Sequence, residues 1–111
     1  MRFPLWSGDA QHTDLLFYLA SWPAARRTAW TRLLPARAIE NLCYVAGVNR
    51  TGTDQQGYAY SGDSQVLDFM GDTLLDAADQ NGVFYSVLQA DALARFKQRF
   101  PAYLDADTFS F

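Results

Sequence analysis

The alternation of apolar and polar stretches along the chain predicts a sheet with flanking helices. An uninterrupted apolar run over 15–20 is typical of a strand that is covered on both faces. Ser21-Trp22-Pro23 ends this run and opens a helix over 24–42. The apolar stripe of that helix consists of Trp30, Leu33, Leu34, Ala38, Ile39 and Leu42. A second strand is expected over 43–49, adjacent and parallel to the first because a helix connects the two.

Shorter elements are expected in the second half of the chain. Residues 51–57 predict a polar loop, and two strands over 64–69 and 73–77 predict a hairpin. A further strand is expected over 83–88, after the tight turn Asn81-Gly82.

The end of the chain predicts a short helix and a packed tail. Asp91 is expected to cap the helix, and Pro101 to end it. The tail over 102–111 is rich in apolar residues, so we expect it to pack against the domain. Pro35 lies inside the long helix at a cost of about 3 kcal/mol. The long helix is therefore expected to kink there or to divide in two.

Composition limits the class of protein. The 111 residues are 50% hydrophobic with a net charge of −3, which fits one folded domain over 1–111 and excludes a disordered chain. No apolar run is long enough to span a membrane, and no signal peptide is recognisable at the start. One cysteine and one histidine allow neither an internal disulfide nor a zinc site. A cytoplasmic location is the expectation.

The basic first half could indicate nucleic-acid binding. Residues 1–50 contain six arginines, and four of them, Arg26, Arg27, Arg32 and Arg37, fall within the predicted long helix. No aromatic residues interleave with them on one face, so we interpret them as a solvated or partner-facing surface. Nucleic acid is therefore not expected as a partner.

Candidate catalytic residues are few. Cys43 is the obvious nucleophile, and His12 is a possible base for it, but an apolar sequence context favours a buried structural thiol. Ser61-Gly62-Asp63-Ser64 has the wrong flanking pattern for a nucleophile elbow and predicts a tight turn with local hydrogen bonds. No phosphate loop, metal-ligand spacing or dinucleotide fingerprint occurs, so neither a metal nor another cofactor is expected.

Three stretches carry a family resemblance. They are Arg2-Phe3-Pro4, the run from Ala36-Arg37-Ala38-Ile39-Glu40-Asn41 through Tyr44–Arg50 to Gly52, and Tyr60–Ser64. Together they resemble the C-terminal half of the nitrilase, or carbon–nitrogen hydrolase, superfamily. Two further stretches, 51–54 and 105–109, look most like its omega-amidase branch. The resemblance implies an α/β fold, about half of an α-β-β-α sandwich, in which this chain forms one mixed sheet with its helices.

The same resemblance implies that the catalytic residues lie elsewhere. Family members hydrolyse C–N bonds with a Glu base, a Lys at the oxyanion and a Cys nucleophile, and all three would precede Met1. No catalytic residue is therefore assigned to this chain. Ser21 and Trp22 match a segment that borders the family's substrate pocket. The helix over 24–42 matches a dimer-interface helix, and Pro35 is unusual there.

Three hypotheses follow for function. The first is a C-terminal fragment of an omega-amidase-like hydrolase that is inactive alone, either a truncated reading frame or half of a split enzyme with a complementing N-terminal half. The second is a non-catalytic module that binds a full-length homologue through the helix and the aromatic tail. The third is an independent enzyme that uses Cys43 and His12. Because the inner apolar face would lack its partner, the isolated chain is expected to be poorly soluble or to form a homo-oligomer.

Overall fold

A computed structural model describes residues 1–2 and 8–107. The elements, in chain order, are β1 (Leu15–Ala20), a 3₁₀ turn (Ala24–Arg26), α1 (Arg27–Asn41), β2 (Tyr44–Asn49), β3 (Thr51–Thr53), β4 (Ala59–Ser61), β5 (Gln65–Leu67), β6 (Thr73–Asp76), α2 (Ala90–Arg99) and a second 3₁₀ turn (Ala102–Asp105). The predicted strand, helix and strand at the start are confirmed.

Four strands form one mixed sheet in the order β1-β2-β5-β6. The β1–β2 pair is parallel, as predicted, and the other two pairs are antiparallel. Strands β3 and β4 form a separate two-stranded antiparallel sheet, so the prediction of a plain loop over 51–57 is wrong. The turn between them closes on Asp54, whose Oδ1 accepts the backbone N–H groups of Gln56 and Tyr58 at 2.9 Å. The mixed α/β class is confirmed.

Helix α1 packs on one face of the sheet and forms the core there. Trp30, Leu34 and Ala38 are buried against Val45 and Leu67. Gly47 of β2 lies directly under the helix, where an added Cβ would stand 2.6 Å from Leu34 Cδ1. A glycine is therefore required for this close approach.

Pro35 does not divide α1, which is one helix from Arg27 to Asn41. Leu34 and Ala38 on either side of it are fully buried, and burial of that face offsets the hydrogen bond that proline removes. The apolar stripe is confirmed in part, because Ile39 is exposed. Arg37 is buried and not solvated. Its Nε donates to the carbonyl oxygen of Met1 at 3.0 Å, and its guanidinium pairs with Glu40.

Helix α2 covers only one end of the opposite face. The Tyr44 hydroxyl donates to the carbonyl oxygen of Gln89 at 3.1 Å, and Phe69 lies between the rings of Tyr44 and Phe96 at centroid distances of 5.4 and 4.6 Å. The ammonium group of Lys97 donates to the carbonyl oxygen of Thr13 at 2.8 Å. These contacts fix α2 at the amino ends of β1 and β2.

The rest of that face is apolar and open. Side chains alternate along a strand, so Phe17 and Leu19 of β1 share a face with Val48 of β2; they are 65%, 79% and 48% exposed. The prediction that 15–20 is covered on both faces is therefore wrong for this chain. The apolar face that the resemblance makes the inner one is thus exposed in the described part of the chain.

Two further predictions need correction. Residues 83–88 form no strand, and α2 begins at Ala90 after an N-cap at Gln89, with Asp91 in the first turn. In the tail, Tyr103 is half-buried but Leu104 is 68% exposed. The apolar residues Phe109 and Phe111 of that prediction lie outside the described residues. No helix in the described part of the chain has the length and apolar character needed to cross a membrane.

Candidate functional site

The carboxyl ends of β1 and β2 lie at the same edge of the sheet. Ala20 is the register partner of Asn49, the last residue of β2, and Ser21 and Trp22 follow directly after β1. In open α/β sheets, ligands bind at the carboxyl ends of parallel strands. Ser21 is exposed at this edge and Trp22 is half-buried. Both predicted pocket-border residues lie at this edge of the sheet.

The side-chain amide of Asn49 joins three segments at this edge. Its Oδ1 accepts the backbone N–H of Trp22 at 2.7 Å, while its Nδ2 donates to the carbonyl oxygens of Trp22 at 3.1 Å and Gly62 at 2.9 Å. Asn49 is only 7% exposed. One amide orientation alone satisfies the N–H and both carbonyls. The amide thus extends the β1–β2 pairing past its last residue.

The connection from β4 to β5 completes the edge. Gly62 and Asp63 adopt left-handed backbone conformations, with φ of 72° and 55°. The Oγ of Ser64 accepts the N–H of Asn49 at 3.0 Å and lies 3.2 Å from its carbonyl oxygen, to which it donates. The Ser64 hydroxyl is therefore committed to the backbone of β2 and is not available as a nucleophile.

Asp63 ties this connection to α1. The Nε and Nη2 atoms of Arg27 donate to its two carboxylate oxygens at 2.8 Å each, and the indole N–H of Trp30 donates to its carbonyl oxygen at 2.8 Å. The hydrogen bonds from Arg27 lower the pKa of Asp63, and that carboxylate raises the pKa of Arg27. The local hydrogen bonding predicted for this segment is joined by bonds to a helix residue 36 positions away.

The side chain of Trp22 is held by contacts with three residues. Its ring centroid lies 5.8 Å from that of Trp30, and its indole N–H donates to the carbonyl oxygen of Arg26 at 2.7 Å. The guanidinium carbon of Arg2 lies 5.4 Å from the centroid of the Trp22 ring, within cation–π range. The start of the chain therefore meets the predicted pocket border through Trp22.

A groove of about 400 Å³ opens beside Asn49 on the second face of the sheet. Its floor consists of apolar side chains from the central strands, and its wall comes from residues 80–86; the apolar lining includes Ala46, Val48, Val66, Leu75 and Phe84. It is continuous with the open apolar face. The edge thus offers binding surface and fixed polar groups.

The structure does not support Cys43 and His12 as a catalytic pair. Cys43 is fully buried in the core, and burial raises the pKa of its thiol to about 11. The His12 side chain is 72% exposed and contacts Asp9 at 3.0 Å. Within the described residues, no hydrogen bond joins the two, and no group of three His, Cys, Asp or Glu side chains could hold a metal ion. The interpretation of Cys43 as a structural thiol fits this environment.

A family model described as carbon-nitrogen hydrolase matches residues 3–98, most of the chain. The chain belongs to the carbon–nitrogen hydrolase family. It is 46% identical over 110 residues to omega-amidase YafV of Escherichia coli strain K12, and the match covers 98% of this chain and 43% of that protein. It is 33% identical over 107 residues to 2-oxoglutaramate amidase of Bacillus subtilis, covering 95% of this chain and 41% of the relative.

Solved carbon–nitrogen hydrolases share the fold. The chain aligns with XC1258 of Xanthomonas campestris, a superfamily protein with an arsenic adduct in its active site, at a TM-score of 0.93 and 43% identity; the match covers 99% of this chain and 44% of XC1258. Nit3 of Saccharomyces cerevisiae has the same fold at a TM-score of 0.78 and 24% identity, with 90% of this chain and 38% of Nit3 covered. The chain therefore spans less than half the length of the relatives it matches.

Three residues contribute to the edge although none of them is a predicted site residue: Arg27, Asn49 and Asp63. Asn49 and Asp63 lie within the quoted family stretches, which is the signal that could have found them. Arg27 had no such signal, because its partner Asp63 is distant in sequence. None of the three is a nucleophile or a base in this arrangement.

Proposed function

We propose that this chain is the C-terminal portion of an omega-amidase-like carbon–nitrogen hydrolase. It contributes one sheet of the sandwich, its helices and a pocket border at Ser21 and Trp22, while an N-terminal portion contributes the second sheet and the catalytic Glu, Lys and Cys. The observation that carries the proposal is the 46% identity to omega-amidase YafV over only 43% of that protein.

The large accessible surface of the chain supports the proposal that a second portion contributes the other layer. The accessible area is 7593 Å², whereas a compact monomer of this mass exposes about 6,200 Å². The Cα radius of gyration is 15.2 Å, against about 13 Å for a compact domain of this length. The excess is roughly 1,400 Å², and exposed apolar residues of the open face and of 83–88 contribute to it. The open face with Phe17, Leu19 and Val48 is the place for the N-terminal portion.

The proposed reaction breaks the amide C–N bond of small omega-amides of dicarboxylates. The cysteine thiolate attacks the amide carbonyl, ammonia leaves with a proton delivered by the acid–base glutamate, and water then hydrolyses the thioester to the free acid. Acyl transfer needs a nucleophile within reach of its base, and removing members of such a unit costs several orders of magnitude in rate. The chain alone is therefore expected to be inactive.

A chimera tests the proposal. The segment of Escherichia coli omega-amidase YafV that matches this chain is replaced by the chain, and ammonia release from 2-oxoglutaramate is measured for the chimera, the YafV N-terminal portion and the chain. The proposal predicts turnover by the chimera only. Turnover by the chain alone, or a folded chimera that hydrolyses no omega-amide, would refute it.

Size-exclusion chromatography tests the open face separately. The chain alone is expected to elute as a homo-oligomer or to precipitate, because Phe17 and Leu19 are exposed on an apolar sheet face. Replacing both with threonine keeps the β-propensity of the strand and should shift the chain toward monomer. A wild-type chain that elutes as a monomer would count against the proposal that an N-terminal portion covers this face.

A further inference from the structure

We propose that Asn49 is a positioning residue that fixes the pocket border at Ser21 and Trp22 and thereby sets substrate affinity. The inference rests on the proposed function and adds to it a residue outside the Glu-Lys-Cys set. It starts from the position of Asn49 at the end of β2, where the backbone pairing with β1 stops at Ala20. Beyond that point the main chain of Ser21 and Trp22 needs another partner.

The Asn49 amide is that partner. It bonds both the N–H and the carbonyl oxygen of Trp22, at 2.7 and 3.1 Å, as a neighbouring peptide group in a sheet would. Its remaining N–H goes to the carbonyl oxygen of Gly62 at 2.9 Å. The backbone of Asn49 is held in turn by the β4–β5 connection, because Ser64 Oγ accepts the Asn49 N–H at 3.0 Å. The position of Trp22 is thus set by a buried amide whose bonds are all made.

The side chain of Trp22 stands on this support. With its backbone fixed, the ring packs against Trp30 and beneath Arg2, and Ser21, the residue before it, is exposed. Ser21 would face the substrate directly, whereas Asn49 is 7% exposed and acts through the backbone of Trp22. A shift of about 1 Å in a binding group can cost roughly a hundredfold in catalytic efficiency.

Two variants separate the bonds of Asn49. Asn49→Leu has a similar volume and removes all three bonds. Asn49→Asp retains the acceptor for the Trp22 N–H but places a carboxylate oxygen against two carbonyl oxygens. A carboxyl group in that position should have a raised pKa, and its protonated form can donate to one of the carbonyls. The charged groups of the surrounding segments are Arg2, Arg27, Arg50 and Asp63, and both variants leave them unchanged. Gln55→Glu, on the exposed β3–β4 turn, is the matched amide-to-carboxylate control.

The first measurement needs no catalysis. Amide hydrogen exchange is followed residue by residue in the full chain, with Val45 of the core strand as an internal reference for global opening. Relative to Val45, the Trp22 amide should exchange about tenfold faster in Asn49→Leu and at the wild-type rate in Asn49→Asp. Equal Trp22 exchange in wild type and Asn49→Leu would overturn the inference.

The second measurement uses the chimera with 2-oxoglutaramate. Asn49→Leu should lower kcat/KM about a hundredfold, mostly by raising KM. Asn49→Asp should show a loss that shrinks toward acid pH, while Gln55→Glu keeps the wild-type profile. An unchanged KM in Asn49→Leu, or a loss in Asn49→Asp that is independent of pH, would overturn the inference. A chimera without omega-amide turnover would refute the proposed function and the kinetic role, while the exchange measurement still decides whether Asn49 holds Trp22.

Discussion

Replacing Asp63 with asparagine tests the link between α1 and the site edge. Asparagine has nearly the same shape and tolerates the left-handed backbone, with φ of 55°, found there. The change therefore leaves the turn in place and removes the negative charge. The side-chain amide oxygen of the asparagine still accepts one N–H of Arg27, but its NH₂ group then faces the other donor nitrogen of the guanidinium.

The expected loss in the free energy of unfolding follows from the burial of the two paired side chains. The Asp63 side chain is 6% exposed and that of Arg27 is 62% exposed. Bonds to a charged group contribute about 1.5–3 kcal/mol when shielded, but the Arg27 guanidinium regains water once the carboxylate is gone. We expect the free energy of unfolding to fall by about 1–2 kcal/mol at pH 7.

The loss should depend on pH with a definite sign. Because Arg27 holds the pKa of Asp63 below its ordinary value, the stabilisation is complete above the unfolded carboxyl pKa of about 3.9 and disappears as pH falls through the lower folded value. Asp63→Asn should therefore differ from wild type by the same amount at pH 7 and pH 5, and by less near pH 3.

Urea unfolding followed by tryptophan fluorescence measures this difference. Protein concentration is held constant, because association adds to apparent stability. Asp72→Asn, an exposed carboxylate on the β5–β6 turn, is the charge-matched control and should change stability by less than about 0.5 kcal/mol. A loss for Asp63→Asn no larger than that of the control, or one that grows as the pH falls, would refute the reasoning.

Three further predictions concern the core and the edge. Gly47→Ala places a methyl group 2.6 Å from Leu34 and should lower the free energy of unfolding by about 1–3 kcal/mol; a stabilised variant in urea titrations would contradict the close helix–strand contact. Gly62→Ala combines a φ of 72° with a Cβ 2.6 Å from the carbonyl oxygen of Ala78, so it should be more destabilising than Gly47→Ala, and the reverse order would count against the described turn. Cys43, whose thiol pKa is raised to about 11, should react with a thiol reagent at pH 7.5 only as fast as the chain unfolds; rapid labelling of the native chain would show an accessible thiolate.

Sequence reasoning succeeded where local pattern decides the structure. The apolar run over 15–20 and the three- and four-residue spacing of Trp30, Leu34 and Ala38 identify β1 and α1, since each pattern marks a buried face. The same reasoning expected Pro35 to kink or divide the helix, and α1 is not divided there. The burial of Leu34 and Ala38, which proline chemistry does not encode, accounts for the continuous helix.

Whether residues 83–88 form a strand could not be predicted from those residues alone. Val83, Tyr85 and Val87 have strand-like character but are 80%, 88% and 84% exposed. A strand exists only where another backbone accepts its hydrogen bonds, and within the described residues none does so here. The exposed face of β1 is a similar case. Its apolar pattern is that of a strand covered on both faces, but coverage is decided by residues outside the strand.

The site edge depends on contacts between distant segments. Asn49 meets Trp22 from 27 residues away, and Arg27 meets Asp63 from 36 residues away. Sequence spacing does not specify such pairs, so only the resemblance could point to Ser21 and Trp22. The parallel register of β1 and β2 explains why these two residues lie beside the carboxyl ends of both strands.

The direct test of the central claim is ammonia release from 2-oxoglutaramate by the purified chain, measured side by side with the YafV chimera at equal molar concentration. The account predicts no turnover above buffer for the chain and steady turnover for the chimera. Hydrolysis by the chain alone would reveal catalytic groups within these 111 residues and contradict the account, and its loss in Cys43→Ala would assign it to that thiol.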